Sequence, residues 1–306
     1  MKRAQLGKLA HPPDSLRKIK RCLSNGMTFL KSDTILVFVC GATPNPAFPG
    51  GRDRIMDYAK KHLKQFNFFI AEKFFEVFQN AEDIDLLSIE DQLSKYSDCI
   101  IIVLESESAF TELGAFAIKE DIAKMVLVVN SIDYEKSKSF ISLGPISKIN
   151  KISRFKPSIH TDLRSILTIA PELSKRLSTI ERKYNKKTVL SDFEAFSSSS
   201  PKIKMYFLHD IITLFHPLTH SEIISILTNF YGDNEFKIHT ELNLLIVLGF
   251  IQKIDDYFVK NTDERYLFFR FFGMDETSLR SEIINHYHKY AKHRTSILHK
   301  KINIVL

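Results

Sequence analysis

Three short runs, Thr34-Ile35-Leu36-Val37-Phe38-Val39, Cys99-Ile100-Ile101-Ile102-Val103-Leu104 and Met125-Val126-Leu127-Val128-Val129, are apolar on both faces and contain no charged residue. A strand of that kind has to be covered on both sides, which is the condition of a central strand in a parallel sheet. The intervening segments supply the cover. Over residues 53–66, Ile55, Tyr58, Ala59, Leu63 and Phe66 fall near helical spacing, and further helices are predicted over 71–79, 88–96 and 109–120. Strands separated by helices of this length predict a doubly wound, Rossmann-like α/β domain with a parallel sheet. Ligands of such sheets bind beyond the carboxyl ends of the strands, so the loops after Val39, Leu104 and Val129 form the predicted mouth.

The chain of 306 residues has room for more than one domain. The pattern predicts a basic N-terminal arm over 1–32, the α/β domain over 33–190 with a basic helix at 163–183, and a linker over 191–202 marked by Ser197-Ser198-Ser199-Ser200-Pro201. Beyond it, helices are expected over 203–214, 221–230 and 236–248. The second of them opens on a capping box between Thr219 and Glu222. Two strands, 250–253 and 257–260, follow around an Asp-Asp turn. Three helices and a hairpin are the order of a winged helix, expected over 203–275, with a basic helical tail over 276–306.

The net charge of +7 favours an anionic partner, and its distribution says more than its sum. Cations crowd the arm (Lys2, Arg3, Lys8, Arg17, Lys18, Lys20, Arg21), the stretch 148–187, and the tail (Arg280, Lys289, Lys292, Arg294, Lys300, Lys301), whereas 72–120 is acidic. Such runs are either solvated surface or contacts to nucleic acid. No stretch has the roughly 20 apolar residues of a membrane span, and the first residues lack the apolar core of a signal peptide, so a cytoplasmic protein is expected. Cys22, Cys40 and Cys99 have no CxxC spacing and are expected to be reduced core residues, with no metal site.

Two loops at the predicted mouth could carry chemistry. The first contains Gly41, Ala42, Thr43, Asn45 and Arg52 between a strand and a helix, where amides and a guanidinium can hold phosphate or sugar; a plain turn uses the same residues. It is neither GxGxxG nor a Walker sequence, so it lends nothing to ATP hydrolysis. The second runs from Leu104 to Phe116 and brings Glu105, Glu107 and Glu112 towards the same place. Carboxylates held close drive their proton affinities apart, giving one ionised and one protonated group, as glycosidic-bond cleavage requires. The plainer reading makes Glu105 and Glu107 solvent-facing and gives Glu112 only a helix-start role.

Glu112-Leu113-Gly114-Ala115 resembles the helix-opening motif that carries the catalytic glutamate of nucleoside 2-deoxyribosyltransferases. The resemblance makes Glu112 the nucleophile, with Glu105 or Glu107 assisting. The family's aspartate six residues upstream is replaced by Ser106, and its second acid falls at Glu90 or Asp91, ahead of Ser97-Asp98. The wider pattern of Phe38-Val39-Cys40-Gly41-Ala42, residues 86–98, residues 104–116 and Ser139-Phe140-Ile141-Ser142-Leu143-Gly144-Pro145-Ile146 resembles the retron-associated effectors of that group, which also carry a winged helix. The resemblance implies a toxic effector of anti-phage defence. Such an effector is held by a retron reverse transcriptase and its multicopy single-stranded DNA and RNA, and needs no cofactor. It cleaves the N-glycosidic bond of a nucleotide, with NAD as one candidate. A cationic nicotinamide leaves without protonation, so loss of the upstream aspartate leans towards NAD; a neutral nucleotide and a higher-order assembly stay open.

In the C-terminal part the third helix offers little beyond Lys237 for base reading, and Lys253 and Lys260 of the wing are better placed for phosphate. Tyr257, Tyr266, Phe268 and Phe269 suit either base stacking or a core. His286, His288, His293 and His299 lack companion ligands. The rival to an enzyme is a catalytically silent nucleotide sensor or a DNA-binding regulator.

Overall fold

The computed structural model describes residues 11–31, 33–43, 45, 47–78, 86–261 and 267–300. Lys2, Arg3, Lys8, Lys301 and Tyr266, singled out above, lie outside the described residues, as do Pro44 and Pro46 of the first loop. The chain divides into two compact units, one over 34–182 and one built from the flanks, residues up to 33 and from 183 onward. The segment expected as a basic arm contains helix α1 (Pro13–Ser24) and strand β1 (Thr28–Leu30), both part of the flanking unit. Ser15, Ile19, Cys22 and Leu23 form one buried stripe of α1, which ties the helix down while its cations face outward.

The α/β unit runs β2 (Ile35–Cys40), α2 (Gly51–His62), β3 (Phe66–Phe69), α3 (Ala71–Phe78), α4 (Leu86–Ser94), β4 (Cys99–Val103), α5 (Glu107–Ile118), α6 (Glu120–Ala123), β5 (Val126–Ser131), α7 (Ser147–Ile152), β6 (Ile159–Thr161) and α8 (Ile166–Leu177). Five strands form one parallel sheet in the order β3-β2-β4-β5-β6. Every residue of β2 and β4 is buried, as strands covered on both faces require. Chain order reverses between β2 and β4, so the switch point lies where Cys40-Gly41 and Leu104-Glu105 leave the sheet. The outer strands β3 and β6 were not expected. Each is short, and Asn67 or His160 interrupts its apolar run, so the alternation that marks a strand is weak there. The Ser139–Ile146 motif includes a π-helical turn, Ser142–Ile146, packed against α5; Pro145 within it has no N–H to close an ordinary turn.

The flanking unit adds β7 (Lys186–Lys187), α9 (Phe193–Ser198), α10 (Pro201–Phe215), β8 (Leu218–Thr219), α11 (His220–Tyr231), α12 (His239–Val247), β9 (Ile251–Ile254), β10 (Tyr257–Lys260), β11 (Phe269–Phe271), α13 (Glu276–Tyr290) and α14 (Lys292–Lys300). The serine run expected as a flexible linker is helix punctuation instead. Ser197 and Ser198 end α9, Ser199 donates to Ala195 O at 2.7 Å, and Ser200 caps α10 by accepting from Ile203 N at 3.4 Å. The Thr219–Glu222 capping box forms in both directions, at 3.3 and 2.9 Å. Strands β9 and β10 make an antiparallel hairpin, with Asp255 at φ 53° in its turn and β8 on the other side of β10. The second sheet, β11-β1-β7, is anchored by Asp210 of α10, which accepts Phe268 N at 2.9 Å and Phe269 N at 2.7 Å. Among the described residues no helix is long and apolar enough to cross a membrane.

Candidate active site

The site grows out of the carboxyl ends of β2, β3 and β4. Cys40 ends β2, Glu72 lies in the first turn of α3 directly after β3, Arg52 is the second residue of α2, and Glu90 and Glu112 come from α4 and α5. These five side chains interact as one group.

Arg52 is buried at 3% exposure, and its Nη1 donates to Glu72 Oε1 at 2.6 Å. Glu112 and Glu90 lie close enough that each carboxyl group perturbs the other. Burial, reinforced by the charges of Glu112 and Glu72, pushes Glu90 up to about 8. Burial also lifts Glu112 above the usual carboxylate range, opposed first by a hydrogen bond from the Cys40 thiol. The thiol itself is driven up by burial and by the neighbouring carboxylates, so it stays protonated and donates. Both carboxyl groups are thus held above the usual carboxylate range, and Glu90, pushed up to about 8, keeps its proton at neutral pH. Glu112 Oε2 is buried and has no hydrogen-bond partner among the described residues.

The other expected site residues are used differently. Glu105 lies at the switch point, but its carboxylate is already occupied: Oε2 accepts Gly51 N at 2.6 Å, and Oε1 accepts Arg52 N at 3.0 Å and Ala42 N at 3.4 Å. It is the anion at the N-terminus of α2, where orphan amides and the helix dipole favour negative charge. The amides expected to hold phosphate are therefore satisfied from within the chain. Glycine is needed for that approach: a Cβ on Gly50 would lie 2.9 Å from Glu105 Oε2, and one on Gly41 would lie 2.8 Å from the Arg52 Cβ. Glu107 is exposed in the first turn of α5; five positions from Glu112, it points about 140° away around the helix. Ser106 is the N-cap of α5, accepting Ala109 N at 3.3 Å. Asp91, one position from Glu90, faces away from the acid cluster and bridges Lys119 at 2.5 Å and Lys95 at 2.9 Å, which hold its pKa down. Asn45 closes a local turn onto the amides of Ala47 and Phe48, and Thr43 is exposed beside it.

Glu72 had not been singled out. The signal was available, because Ile70-Ala71-Glu72 follows a parallel strand at its carboxyl end, but the helical spacing of 53–66 runs into Phe66, the first residue of β3, and hides the strand. Among the described residues no group of three or more His, Cys, Asp or Glu has the geometry of a metal site, and the three cysteines are buried and free.

In the flanking unit, Lys237 and Lys253 are exposed and Lys260 is half-buried. Lys237 lies 3.4 Å from Glu235. Two cations of the expected basic tail are inside. Arg280 donates to Leu214 O at 2.7 Å and His216 O at 3.0 Å, and Arg294, 3% exposed, donates to Pro217 O at 2.5 Å and pairs with Glu222. Both arginines satisfy carbonyls at and just beyond the C-terminal end of α10.

Fold and site together define a Rossmann-like α/β unit with a half-buried pair of glutamates, Glu90 and Glu112, at the carboxyl edge of its sheet. The chain belongs to the family described as STM3845 retron effector protein, which it matches over residues 50–253. It is 35% identical over 230 residues, 70% of this chain and 72% of the relative, to the Escherichia coli "Retron Ec73 putative ribosyltransferase/DNA-binding protein". It is also 27% identical over 119 residues, 39% of this chain and 38% of the relative, to the Escherichia coli "Retron Ec86 putative ribosyltransferase/DNA-binding protein".

Proposed function

We propose that this retron effector is an N-glycosidase acting on a nucleotide, and that Glu112 is its nucleophile. The observation that carries the reading is the meeting of Glu112 with Glu90 at the carboxyl edge of the sheet, where Glu90, pushed up to about 8, keeps its proton beside the Glu112 carboxyl group. Glu112 attacks the anomeric carbon of the sugar, the bond to the base breaks with its electron pair leaving on the base, and water then opens the glycosyl ester. Cys40 and Glu90 hold the attacking carboxylate. Glu105 fixes the backbone of the mouth and takes no part in bond breaking, and Glu107 stays in solvent. NAD is a fitting substrate, because its nicotinamide departs uncharged without needing a proton. The ribosyltransferase wording in the names of both relatives agrees with chemistry at an anomeric carbon.

The flanking unit is read as a winged helix that meets nucleic acid. Its order of helix, short strand, helix, helix and hairpin supports this, as does the DNA-binding wording in the relatives' names. Lys237, Lys253 and Lys260 supply phosphate contacts. The partners are the retron reverse transcriptase and its multicopy single-stranded DNA, and the setting is the cytoplasm.

The test is release of free base from NAD and a panel of nucleotides by the full chain, alone and with its retron partners, against Glu112→Gln. Release lost in the variant supports the reading. Release unchanged in the variant assigns the chemistry elsewhere, and tight binding without release from the wild type identifies a sensor.

A further inference from the structure

Arg52 is almost wholly enclosed, yet only part of its guanidinium is used. Nη1 is taken by Glu72, while Nε and Nη2 are buried and find no partner among the described residues. A guanidinium cannot shed its charge, and a buried donor left unmatched costs more than an ordinary hydrogen bond returns. In the same cluster Glu112 Oε2 is a buried acceptor with nothing to accept from. The two are neighbours: the stem of Arg52 crosses Gly41, next to Cys40, and the charges of Arg52 and Glu72 both act on Glu112. Unmatched donors and an unmatched acceptor in one cluster call for a group that both accepts and donates.

We infer that Arg52 and Glu112 together receive the 2′-hydroxyl of the substrate's sugar, which makes Arg52 the residue that selects ribosyl over 2′-deoxyribosyl substrates. A phosphate would not serve, because Glu72 already neutralises the guanidinium and the charge of Glu72 also bears on Glu112. A hydroxyl brings no charge. Its oxygen accepts from Arg52 and its proton goes to Glu112 Oε2, and of the sugar's hydroxyls the 2′ group is the neighbour of the anomeric carbon. Hydrogen bonds to that hydroxyl strengthen as the oxocarbenium-like transition state forms. The inference rests on the glycosidase reading and sharpens it, and it sets this chain apart from the deoxyribosyl chemistry of the transferases it resembles.

The experiment compares initial rates of base release by the retron complex from NAD and 2′-deoxy-NAD, and from AMP and dAMP. A site built to bond a hydroxyl rejects the analogue lacking it by large factors, so the wild type should favour the ribosyl member of the pair it cleaves by about 100-fold or more. In Arg52→Gln and Arg52→Lys, checked for folding by circular dichroism, that ratio should collapse to within about tenfold, with the loss borne by the ribosyl substrate. If neither variant folds, Glu72→Gln replaces them: it frees the guanidinium from its carboxylate and should erode the ratio at least about tenfold. A wild type that cleaves both sugars alike, or a folded variant that lowers both rates equally, overturns the inference and leaves the glycosidase reading standing. A wild type that releases base from none of the four overturns both.

Discussion

The carboxylate of Glu105 accepts the amide of Gly51 at 2.6 Å, so the acid at the topological switch point is bound to the start of a helix before any ligand arrives. The Arg52 and Ala42 amides converge on the same carboxylate at 3.0 and 3.4 Å, and the loop and α2 hang from it. Glu105→Gln therefore turns an amide NH2 towards backbone N–H donors. Leaving one of them unmatched costs about 1–3 kcal/mol, which lowers the thermal midpoint by several degrees. Glu107→Gln, on the exposed first turn of α5, should leave both midpoint and base release unchanged. A pair of variants with equal midpoints would show that Glu105 does not anchor the loop.

The acid pair makes a prediction about pH. Glu90 titrates near 8 in the folded chain against 4.5 for the ordinary side chain, so the native state binds its proton more tightly than the unfolded state. The stability it contributes is whole below about 4.5 and is lost as pH rises through about 8. Activity follows the same limb: base release should fall above about pH 8 as Glu90 ionises and repels Glu112. Glu90→Gln keeps a donor that cannot ionise, so it should retain measurable release and flatten the alkaline limb. An alkaline limb that survives in Glu90→Gln would assign it to another group.

Much of this arrangement was legible before the structure, and the illegible parts have physical causes. The β2, β4 and β5 runs are buried on both faces, so composition alone marks them; β3 and β6 lie at the sheet edges, where half-exposure breaks the pattern. The sequence could place Glu105, Glu107 and Glu112 on one loop and helix, but their roles depend on direction. A side chain that reaches back over 54 positions to Gly51 is not encoded in local spacing. Glu90 and Asp91 are adjacent and equally acidic, and only the rotation of about 100° between them sends one to Glu112 and the other to Lys119. Charge runs mislead for a similar reason, since Arg280 and Arg294 look like a basic tail and in fact bind carbonyls inside the unit.

Gly41 tests how closely the first loop must approach α2. A methyl there would lie 2.8 Å from the Arg52 Cβ and 3.2 Å from Glu105 Oε1, and neither neighbour is the loose end of a flexible chain. Gly41→Ala should shift Arg52 and cost on the order of 1–3 kcal/mol through overpacking. Because Arg52 and Glu112 belong to one cluster, base release should fall more than the loss of folded protein explains. A variant with unchanged melting and turnover would mean that the loop moves freely enough to absorb the methyl.

The last prediction separates cations that bind nucleic acid from cations that hold the fold. Lys237 and Lys253 stand in solvent and Lys260 is half-buried, so replacing each by Gln should leave the melting temperature within error. Each lost phosphate contact should lower the slope of log affinity against log salt for single-stranded DNA by about 0.7. Arg294→Gln should do the reverse. Its guanidinium is 3% exposed, pairs with Glu222, and donates to Pro217 O, so truncating it takes the counter-charge from a half-buried carboxylate and a donor from a carbonyl. A loss of about 3–5 kcal/mol is expected from breaking a buried pair, with the salt slope of whatever folded protein remains unchanged. A salt slope that drops in Arg294→Gln and stays constant in the lysine variants would move the nucleic-acid surface away from the hairpin and towards α14.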